Sequence, residues 1–475
     1  MQEPACLPGK RLTQTTVAEK IMSSRGSWSS KIGFILAGAG SAVGLGAIWR
    51  FPYMTGENGG AVFVVLYLAC CFLIGYPVML AELSLGRHCG KNPVGMFHML
   101  SSSGTILWKG VGALCVASGL VIFAWYSVIA GWVVGYLFKT LQGTFSTQLN
   151  PEVIDRIFSD FVSNPALVMF LHALIIGATA FVLTGGVKGG IEMLSKWLMP
   201  LLFILLVILA VRSITLAGAM EGIRFYLYPD PSKITGIVVL KAMGQALFSL
   251  SLGMGTMITY GSYLSKKENI PASAMWVTVF AVGVSLLAGF VILPAVAAMG
   301  GSFTEGPDLI FKVIPSIFSQ MPGGYFFGVG FFVLLIIAAL TSTVSIMEVP
   351  VAYFVDERKW ARKKAVLLVT VIAWLIGTPA ALSQGASSFL TSLPGLSSSF
   401  FDVISTLFGD ISLSVGAFFI AVFIAWKWDL DLAAGEMKLG GDFRIEKAWR
   451  FSIKYVSPVI ILVIFIFTIW SKFAS

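Results

Sequence analysis

Residues Lys31–Tyr53 read KIGFILAGAGSAVGLGAIWRFPY, an apolar segment in which four of the ten residues from Gly38 to Ala47 are glycine. Each glycine in a helix interior costs about 1 kcal/mol relative to alanine. Within a bilayer, backbone that is not helical is tolerated only where it is buried in protein or lines a cavity. The segment therefore predicts a membrane helix interrupted at residues 40–46, where free carbonyls would bind a cation and free amides an anion.

The composition of the whole chain places this segment in a polytopic membrane protein. Of its 475 residues, 57% are hydrophobic and 12% are charged, and the mean hydropathy is +0.88. Soluble domains of this length do not have such values. A window of about 20 residues predicts eleven apolar spans, near residues 32–55, 58–86, 106–141, 165–184, 191–213, 237–264, 271–300, 325–353, 365–382, 399–426 and 451–471.

Side chains that would support an enzyme or a metal cluster do not form a pattern in the sequence. The five cysteines lack the spacing of a metal site or a disulfide framework, and the three histidines have no cysteines or carboxylates clustered around them. We interpret the cysteines as packing residues. Because no nucleophile is paired with a base in any motif, we predict that the protein is not an enzyme.

The net charge of +9 arises from Lys and Arg concentrated in alternate loops. This distribution indicates how the chain is oriented in the membrane rather than binding to nucleic acid. These loops lie on the side of the N-terminal tail, so the positive-inside rule predicts a cytoplasmic N-terminus. An odd number of spans then puts the C-terminus outside. We expect an integral protein of the plasma membrane (a bacterial inner membrane) whose partners are the lipid bilayer and a small molecule.

A second interruption, SLSLGMG at residues 249–255, lies in span 6. Transporters commonly bind their substrate between two inverted repeats, each with one broken helix near the bilayer midplane. We therefore predict an all-α fold with a 5+5 inverted repeat, broken spans 1 and 6, and an eleventh span. The predicted units are a cytoplasmic tail (1–29), repeat one (30–213), an extracellular loop (214–236), repeat two (237–427), a cytoplasmic loop (428–450) and span 11 with the C-terminus (451–475).

Close packing of helices is the alternative explanation for small residues in membrane spans. Two interruptions at matching positions in the two halves favour a ligand site. Span 8 adds the run TST at residues 341–343, whose hydroxyls would face a cation or donate to carbonyls one turn back. This run alone does not decide between the two roles.

Three long motifs resemble one known family. They are similar to spans 1, 6 and 8 of the neurotransmitter:sodium symporter family in its bacterial, eleven-span form. The three motifs are, in that order, WSSKIGFILAGAGSAVGLGAIWRFPYMTGENGG, GQALFSLSLGMGTMITYGSYLSKKENI and ALTSTVSIMEVPVAYFVDE. The resemblance extends from about Trp28 to Trp470. It implies a LeuT-like fold, and the functional residues of the family fall on matching positions of this chain.

The resemblance implies one complete sodium site and one incomplete site. The complete site would use the carbonyls of three residues and the hydroxyls of two, namely Gly40, Val43, Ala338, Thr341 and Ser342. Five neutral oxygens suit Na⁺, a hard cation. The second site keeps Ala42 and Ser249, but Ala47 and Ala281 replace side-chain ligands of the family, so we expect it to be absent or rebuilt by water.

Four hydroxyl and amide side chains match a chloride site of the same family: Tyr67, Gln245, Ser249 and Ser285. Chloride-independent members carry a carboxylate near the last position, whereas this chain has no acid between Ser273 and Ser302. Donors without a fixed negative charge favour a bound anion. The alternative is that these hydroxyls only satisfy neighbouring carbonyls.

The resemblance also implies an amino-acid pocket between the two interruptions. It would contain Ser41, Ala42, Gly44, Leu45, Gly46, Ile122, Tyr126, Phe248, Ser249, Ser251, Met254, Ser342 and Ile346. Amides of residues 44–46 and the phenol of Tyr126 would hold a carboxylate, and the carbonyls of Phe248 and Ser251 an ammonium group. Monoamine carriers have Asp at the position of Gly44, and Met254 is an adaptable apolar side chain, so a hydrophobic or aromatic amino acid is expected.

The resemblance also implies gates on both sides of the pocket. Outside, Tyr126 and Phe248 would form a lid and Arg50 would pair with an acid of span 10. Ser405 stands at the position of the family's acid in this chain. We therefore name Asp402, one turn earlier, as the partner of Arg50, with Asp410 as the alternative. Inside, the family latch is matched by Arg25, Trp28, Tyr263 and Asp356.

These features predict a sodium-coupled symporter that imports a hydrophobic or aromatic amino acid, with Na⁺ as the coupled ion and Cl⁻ as a candidate second ion. Two alternatives stay open. One is a sodium-coupled carrier of another small zwitterion, such as a betaine or an ω-amino acid. The other is a transport-impaired amino-acid sensor, which the replacements Ala47, Ala281 and Ser405 suggest. The sequence does not identify the exact substrate or the oligomeric state.

Overall fold

The computed structural model describes residues 26–101, 106–146, 149–303, 310–395 and 398–473. Throughout this part of the chain the regular elements are helices. The long helices are Ala61–Cys89, Ile106–Leu141, Pro165–Thr184, Val187–Ile214, Ile270–Ala298, Gly324–Glu357, Arg362–Leu382, Phe400–Lys427 and Glu446–Trp470. They correspond to spans 2–5 and 7–11.

Span 1 is broken, as the sequence predicts. Its halves, Lys31–Ala42 and Gly46–Glu57, are bent by 54° relative to each other. The break is shorter than the predicted 40–46, because residues 40–42 are still helical and the N–H of Val43 still donates to Ala39 O at 2.6 Å. The second half begins with a π-helical turn at Gly46–Arg50. Such turns are frequent at functional sites.

Span 6 is also broken, into Gly236–Ser249 and Thr256–Gly261. Three residues of the connecting segment have positive φ: Ser251 at 54°, Gly253 at 85° and Gly255 at 78°. An L-residue such as Ser251 is rarely found in this conformation, which costs roughly 1–3 kcal/mol unless neighbours fix it. The two breaks confirm the predicted fold class, with spans 1 and 6 discontinuous.

Several helices begin at an Asn that is followed by Pro, which fixes where spans and loop helices start. Asn92, Asn150 and Asn164 cap the helices Pro93–Leu100, Pro151–Val162 and Pro165–Thr184, and each side chain accepts a backbone N–H of the first turn. Asn is a strong N-cap residue, and Pro fits the first helical position because its missing N–H would be unpaired there. Three further loop helices are Ala219–Leu227, Val313–Gln320 and Leu430–Lys438.

We call the end of the helices that the charge pattern predicts to be cytoplasmic the inner end, and the other the outer end. At the inner end, Glu436 of the helix Leu430–Lys438 joins three segments of the chain. Its carboxylate accepts from Arg87 Nε at 2.9 Å and from Lys266 Nζ at 2.8 Å, and it lies 3.3 Å from His88 Nδ1. The side chains of Arg87 and Glu436 are almost fully buried. Burial opposes ionisation of Glu436, but the hydrogen bonds from His88 and Lys266 and the positive charges of Lys266 and Arg87 prevail and lower its pKa to about 2.

Glu436→Gln is expected to lower the free energy of unfolding by about 3 kcal/mol, because it leaves the buried Arg87 without its counter-charge. The folded-state pKa lies below the unfolded value of about 4.3, so this stabilisation is present at neutral pH and is lost as the pH falls from about 4 to 2. Thermal unfolding of the purified protein measures the effect. Asp442→Asn, a change of an exposed acid in the same loop, is the control and should leave the midpoint unchanged.

Candidate functional site

The two helix breaks enclose a cavity at the centre of the helix bundle. Twelve of the thirteen predicted pocket residues line it, and Leu413 of span 10 is an additional wall residue. The lining residues are Ser41, Ala42, Gly44, Gly46, Ile122, Tyr126, Phe248, Ser249, Ser251, Met254, Ser342, Ile346 and Leu413. The thirteenth, Leu45, contributes its backbone, since its N–H donates to Tyr126 Oη at 2.8 Å.

A pair of serine side chains ties the two breaks together. Ser251 Oγ donates to Ser41 O at 3.0 Å, and Ser41 Oγ lies 3.3 Å from Ser251 Oγ. The unusual backbone of Ser251 is therefore fixed by a contact with span 1. The two breaks are therefore in direct contact.

One side of the cavity is suited to a carboxylate. The amide of Leu45 and the phenol of Tyr126 meet there, at the start of the second half of span 1, where the helix dipole favours negative charge. A Cβ added at Gly44 would lie 2.5 Å from Ser342 Oγ and 2.8 Å from Tyr126 Oη. A side chain at this position would fill the space, which is the physical reason for glycine here.

The remaining wall of the cavity is apolar. Ile122, Met254, Ile346 and Leu413 are each 5% exposed or less, and the ring of Phe248 separates the cavity from the outer end. No Asp, Glu, Lys or Arg is among the lining residues. This wall is suited to an apolar side chain.

The five predicted sodium ligands belong to two segments that meet, the end of the first half of span 1 and the middle of span 8. Ser342 Oγ is 3.3 Å from Gly40 O, and Thr341 Oγ1 is 3.1 Å from Ala338 O. Val43 follows directly at the break. These oxygens are neutral, and among the described residues no cluster of His, Cys, Asp or Glu could hold a metal instead. The donor set fits Na⁺, which takes hard oxygen ligands.

The second predicted sodium site has few oxygens. Ser249 Oγ accepts a hydrogen bond from Gln245 Nε2 at 3.0 Å, and Ala42 lines the cavity beside it. Ala47 and Ala281 are fully buried, and their methyl groups offer no ligand. That this second site is absent or rebuilt by water stays a prediction.

The four side chains of the predicted chloride site lie together and are buried. Tyr67 Oη is 3.0 Å from Ser285 Oγ, and Gln245 Nε2 donates to both Ser249 Oγ and Gly46 O, at 3.0 and 2.9 Å. Ser285 Oγ also donates to Ala281 O at 3.2 Å. The hydroxyls therefore have protein partners in this structure, as the alternative of local hydrogen bonding predicts.

The outer gate differs from the prediction in one residue. Arg50 Nη2 lies 3.2 Å from Asp410 Oδ1, and the Arg50 guanidinium lies 4.7 Å from the centre of the Phe248 ring. The choice of Asp402 was wrong, because its carboxylate accepts from the N–H and hydroxyl of Ser399 in a capping box at the start of span 10. Both charged residues of the gate lie in π-helical turns, Gly46–Arg50 and Thr406–Ile411, which turn them towards each other.

Asp410→Asn is expected to reduce the rate of substrate uptake about tenfold, because it replaces a charge-assisted hydrogen bond by a neutral one. Asp402→Asn is the matched control. It removes a helix cap, so it should lower the thermal midpoint slightly and leave the uptake rate within about twofold of wild type. Equal loss of uptake in both variants would contradict the assignment of the gate.

The predicted inner latch is partly within the described residues. Trp28 Nε1 donates to Tyr260 O at 3.0 Å and its ring packs edge-on against Tyr263, at 6.3 Å between centroids. Asp356 accepts from the backbone and side chain of Asn92, at 2.9 and 3.1 Å. Arg25 lies outside the described residues.

Among the buried carboxylates inside the spans that sequence reasoning missed, two accept hydrogen bonds from residues of span 6. Glu348 accepts from Tyr263 Oη at 2.6 Å and pairs with Arg362 at 2.5 Å. Glu82 of span 2 accepts from the N–H of Gly253, in the break of span 6, at 2.7 Å. Charged residues in membrane spans are costly and usually functional, so their presence in apolar segments was the signal that would have found them.

Comparisons with known proteins identify the family of this chain. The sequence model of the sodium:neurotransmitter symporter family matches residues 25–152 and 158–474. The uncharacterized sodium-dependent transporter YhdH of Bacillus subtilis is 37% identical, with 92% of this chain and 96% of the relative covered. The sodium-dependent serotonin transporter of Drosophila melanogaster is 28% identical, with 98% and 79% covered.

A solved structure is similar over almost the whole chain. The crystal structure of MhsT in complex with L-phenylalanine superimposes with a TM-score of 0.85 at 44% identity, covering 93% of this chain and 99% of MhsT. Together with the family match and the two broken helices around one cavity, this likeness leads to a single conclusion. The chain belongs to the sodium:neurotransmitter symporter family and is a sodium-dependent transporter, not an enzyme.

Proposed function

We propose that this transporter imports a hydrophobic or aromatic α-amino acid together with sodium. The observation that carries the proposal is the central cavity itself, which joins the start of the second half of span 1 and the Tyr126 phenol, held by the Leu45 N–H, on one wall to an uncharged apolar wall on the other. A carboxylate fits the first wall and an apolar side chain the second. The likeness to MhsT, whose structure contains L-phenylalanine, supports the same substrate class.

Sodium binding at the junction of spans 1 and 8 would be coupled to substrate binding through shared residues. Ser342 lines the amino-acid cavity and its hydroxyl reaches the carbonyls of Gly40 and Ser41, both at 3.3 Å. An ion held by these oxygens fixes the first half of span 1 against span 8. The amides of the break are then oriented towards the substrate carboxylate, and the substrate in turn favours closure of Phe248 and the Arg50–Asp410 pair.

We further propose one sodium ion in each transport cycle and an anion at Tyr67, Gln245, Ser249 and Ser285. One observation supports the anion. The four side chains are 1% exposed or less and bring three hydroxyls and one amide together. A chloride ion would accept from the hydroxyls and from the amide of the Gln245 side chain.

Uptake into proteoliposomes tests the substrate class. With an inward Na⁺ gradient, labelled L-phenylalanine should accumulate, and unlabelled leucine, tryptophan and tyrosine should compete. Glycine, taurine, γ-aminobutyrate and betaine should not compete. Accumulation of a betaine or an ω-amino acid in place of phenylalanine would contradict the proposal.

The same vesicles test chloride and the sensor alternative. Replacing external Cl⁻ by gluconate should slow uptake severalfold if the anion site is used, and unchanged uptake would remove chloride from the proposal.

The sensor alternative is favoured by Ala47 and Ala281, which remove sodium ligands. It predicts sodium-dependent binding of phenylalanine to the purified protein without accumulation in the vesicles.

A further inference from the structure

A buried carboxylate at the inner end of span 5 lies apart from the central cavity. Glu192 is the last residue of the π-helical turn Val187–Glu192, and its side chain is 1% exposed. Charged residues in membrane spans are costly and usually functional. The partners of this carboxylate therefore indicate what it does.

Glu192 contacts the start of span 1. Its Oε2 accepts from the Ser29 N–H at 2.7 Å, and its Oε1 accepts from the hydroxyls of Ser29 and Ser30 at 2.5 and 3.1 Å. Ser30 is also the N-cap of the helix Lys31–Ala42, since its side chain accepts from the Gly33 N–H at 3.0 Å. The carboxylate thus lies at the N-terminus of this helix, where the helix dipole favours negative charge.

The glycine at position 33 allows this close approach of spans 1 and 5. A Cβ added at Gly33 would overlap Glu192 Oε1. Alanine is the better helix former by about 1 kcal/mol. The contact with Glu192, rather than the helix itself, therefore explains glycine at this position.

Lys196, one turn further along span 5, neutralises the carboxylate. Its Nζ lies 2.7 Å from Glu192 Oε1, and its side chain is 39% exposed. Because both residues belong to span 5, the ion pair persists when span 1 moves away. Release of Ser29 and Ser30 therefore does not leave a buried charge without a partner, which would be strongly destabilising.

The helix that Glu192 holds also carries proposed sodium ligands at its other end. Lys31–Ala42 ends at the break of span 1, beside Gly40 and Val43. At 1.5 Å per residue, Ser30 lies about 20 Å from Val43 along the helix. Because the break separates this half from the rest of span 1, its inner end is positioned by its own contacts.

We propose that Glu192 is a positioning residue that keeps the inner side of the transporter closed. It holds the start of Lys31–Ala42 against span 5 while sodium and substrate are bound. It releases Ser29 and Ser30 when the cavity becomes accessible from the inner side, as alternating access requires. The inference rests on the transport cycle proposed above, but the contact itself is tested without transport.

Hydrogen–deuterium exchange of the full-length protein in Na⁺ buffer, read by mass spectrometry at residues 33–37, tests the contact. Glu192→Ala should speed exchange of these amides about tenfold, the loss expected for one charge-assisted hydrogen bond. Lys196→Gln is the control. It keeps the contact with span 1, and a partly exposed ion pair contributes little, so exchange should stay within about twofold of wild type.

Gly33→Ala tests the same contact from span 1. Its Cβ displaces the carboxylate, so exchange at residues 33–37 should rise as it does in Glu192→Ala. Added to Glu192→Ala, it should cause no further rise, because the clash is then absent and alanine is the better helix former. A general loss of stability would instead add in the double variant.

Uptake by the same variants reports on the role in transport. Loosening the inner end favours the state that is open to the inner side, so Glu192→Ala should raise the external Na⁺ concentration for half-maximal uptake severalfold. An unchanged value would overturn this role. Wild-type protein without sodium-driven uptake would contradict the proposed function alone, since the exchange measurements do not depend on uptake.

The contact is wrongly assigned if Glu192→Ala exchanges like wild type at residues 33–37, or if Gly33→Ala does so while Glu192 is present. If Glu192→Ala fails to fold, Glu192→Gln takes its place. The amide keeps an acceptor for Ser29 but has no charge, so exchange should change in the same direction by a smaller factor. Wild-type exchange in Glu192→Gln would then overturn the proposal.

Discussion

Thr341→Ala combined with Ser342→Ala is expected to abolish the sodium dependence of uptake. Two of the five proposed ligand oxygens are removed, and the ion's cost of dehydration is then no longer met. We expect the sodium affinity to fall at least about 100-fold. Phenylalanine uptake measured against external Na⁺ should become flat and low.

Thr343→Ala is the matched control for this double variant. Its hydroxyl lies on the same stretch of span 8 but donates to Leu340 O at 3.0 Å and pairs with Thr179 of span 4 at 2.9 Å. Its sodium dependence should stay close to that of wild type. A double variant that still takes up phenylalanine in proportion to sodium would show that the site has been assigned to the wrong residues.

Glu82→Ala is expected to reduce uptake by about two orders of magnitude. The carboxylate accepts from the Gly253 N–H at 2.7 Å and faces the first turn of Thr256–Gly261, where the N–H groups have no partner within the helix. Gly253 has a φ of 85°, and a Cβ there would overlap Leu413 O, so only glycine fits at this position of the break. Without Glu82, the buried N–H of Gly253 loses this hydrogen-bond partner.

Glu82→Gln separates the effect of the hydrogen bond to Gly253 from the effect of a negative charge at this position. Its amide oxygen still accepts from Gly253, so uptake should be intermediate between wild type and Glu82→Ala. The control Glu221→Gln changes an exposed acid of the outer loop helix and should have no effect. Full uptake by Glu82→Ala would contradict a role for this carboxylate in holding span 6.

The helix breaks were predictable because two clusters of glycine and serine, which carry a known conformational cost in helices, lie at matching positions in the two halves of the chain. The exact extent of the first break was not, since residues 40–42 have the composition of the break and are nevertheless held in the helix by packing. A Cβ at Gly40 would lie 3.1 Å from Thr341 Cβ. Contacts between spans, which the local sequence does not contain, decide such boundaries.

The outer gate shows why a matched motif did not identify every partner. Asp402 and Asp410 are both acids near the start of span 10, and the distance in sequence favoured Asp402. Two π-helical turns shift the register of the side chains, and a preceding Ser399 engages Asp402 as a cap. The shift of register has no reliable signature in a single sequence, whereas the cap has one, because Ser399 and Asp402 have the S-x-x-D spacing of a capping box.

Leu413 was missed for a different reason. Span 10 is apolar on several faces, so hydrophobic periodicity does not tell which leucine borders the cavity. The structure selects Leu413 because Gly253 and Gly416 let the break of span 6 approach span 10 closely. The same residue borders both the central cavity and a second cavity that is lined by Arg50 and Asp410.

The central claim is tested most directly by the initial rate of labelled L-phenylalanine uptake into proteoliposomes. This rate is measured as a function of external Na⁺, with choline as the replacement ion. Capture of one sodium ion by the neutral oxygens of spans 1 and 8 predicts a saturable rise from near zero with a Hill coefficient of about one. Uptake that is equally fast in choline would contradict sodium coupling at this site, and a coefficient near two would contradict the single strong site.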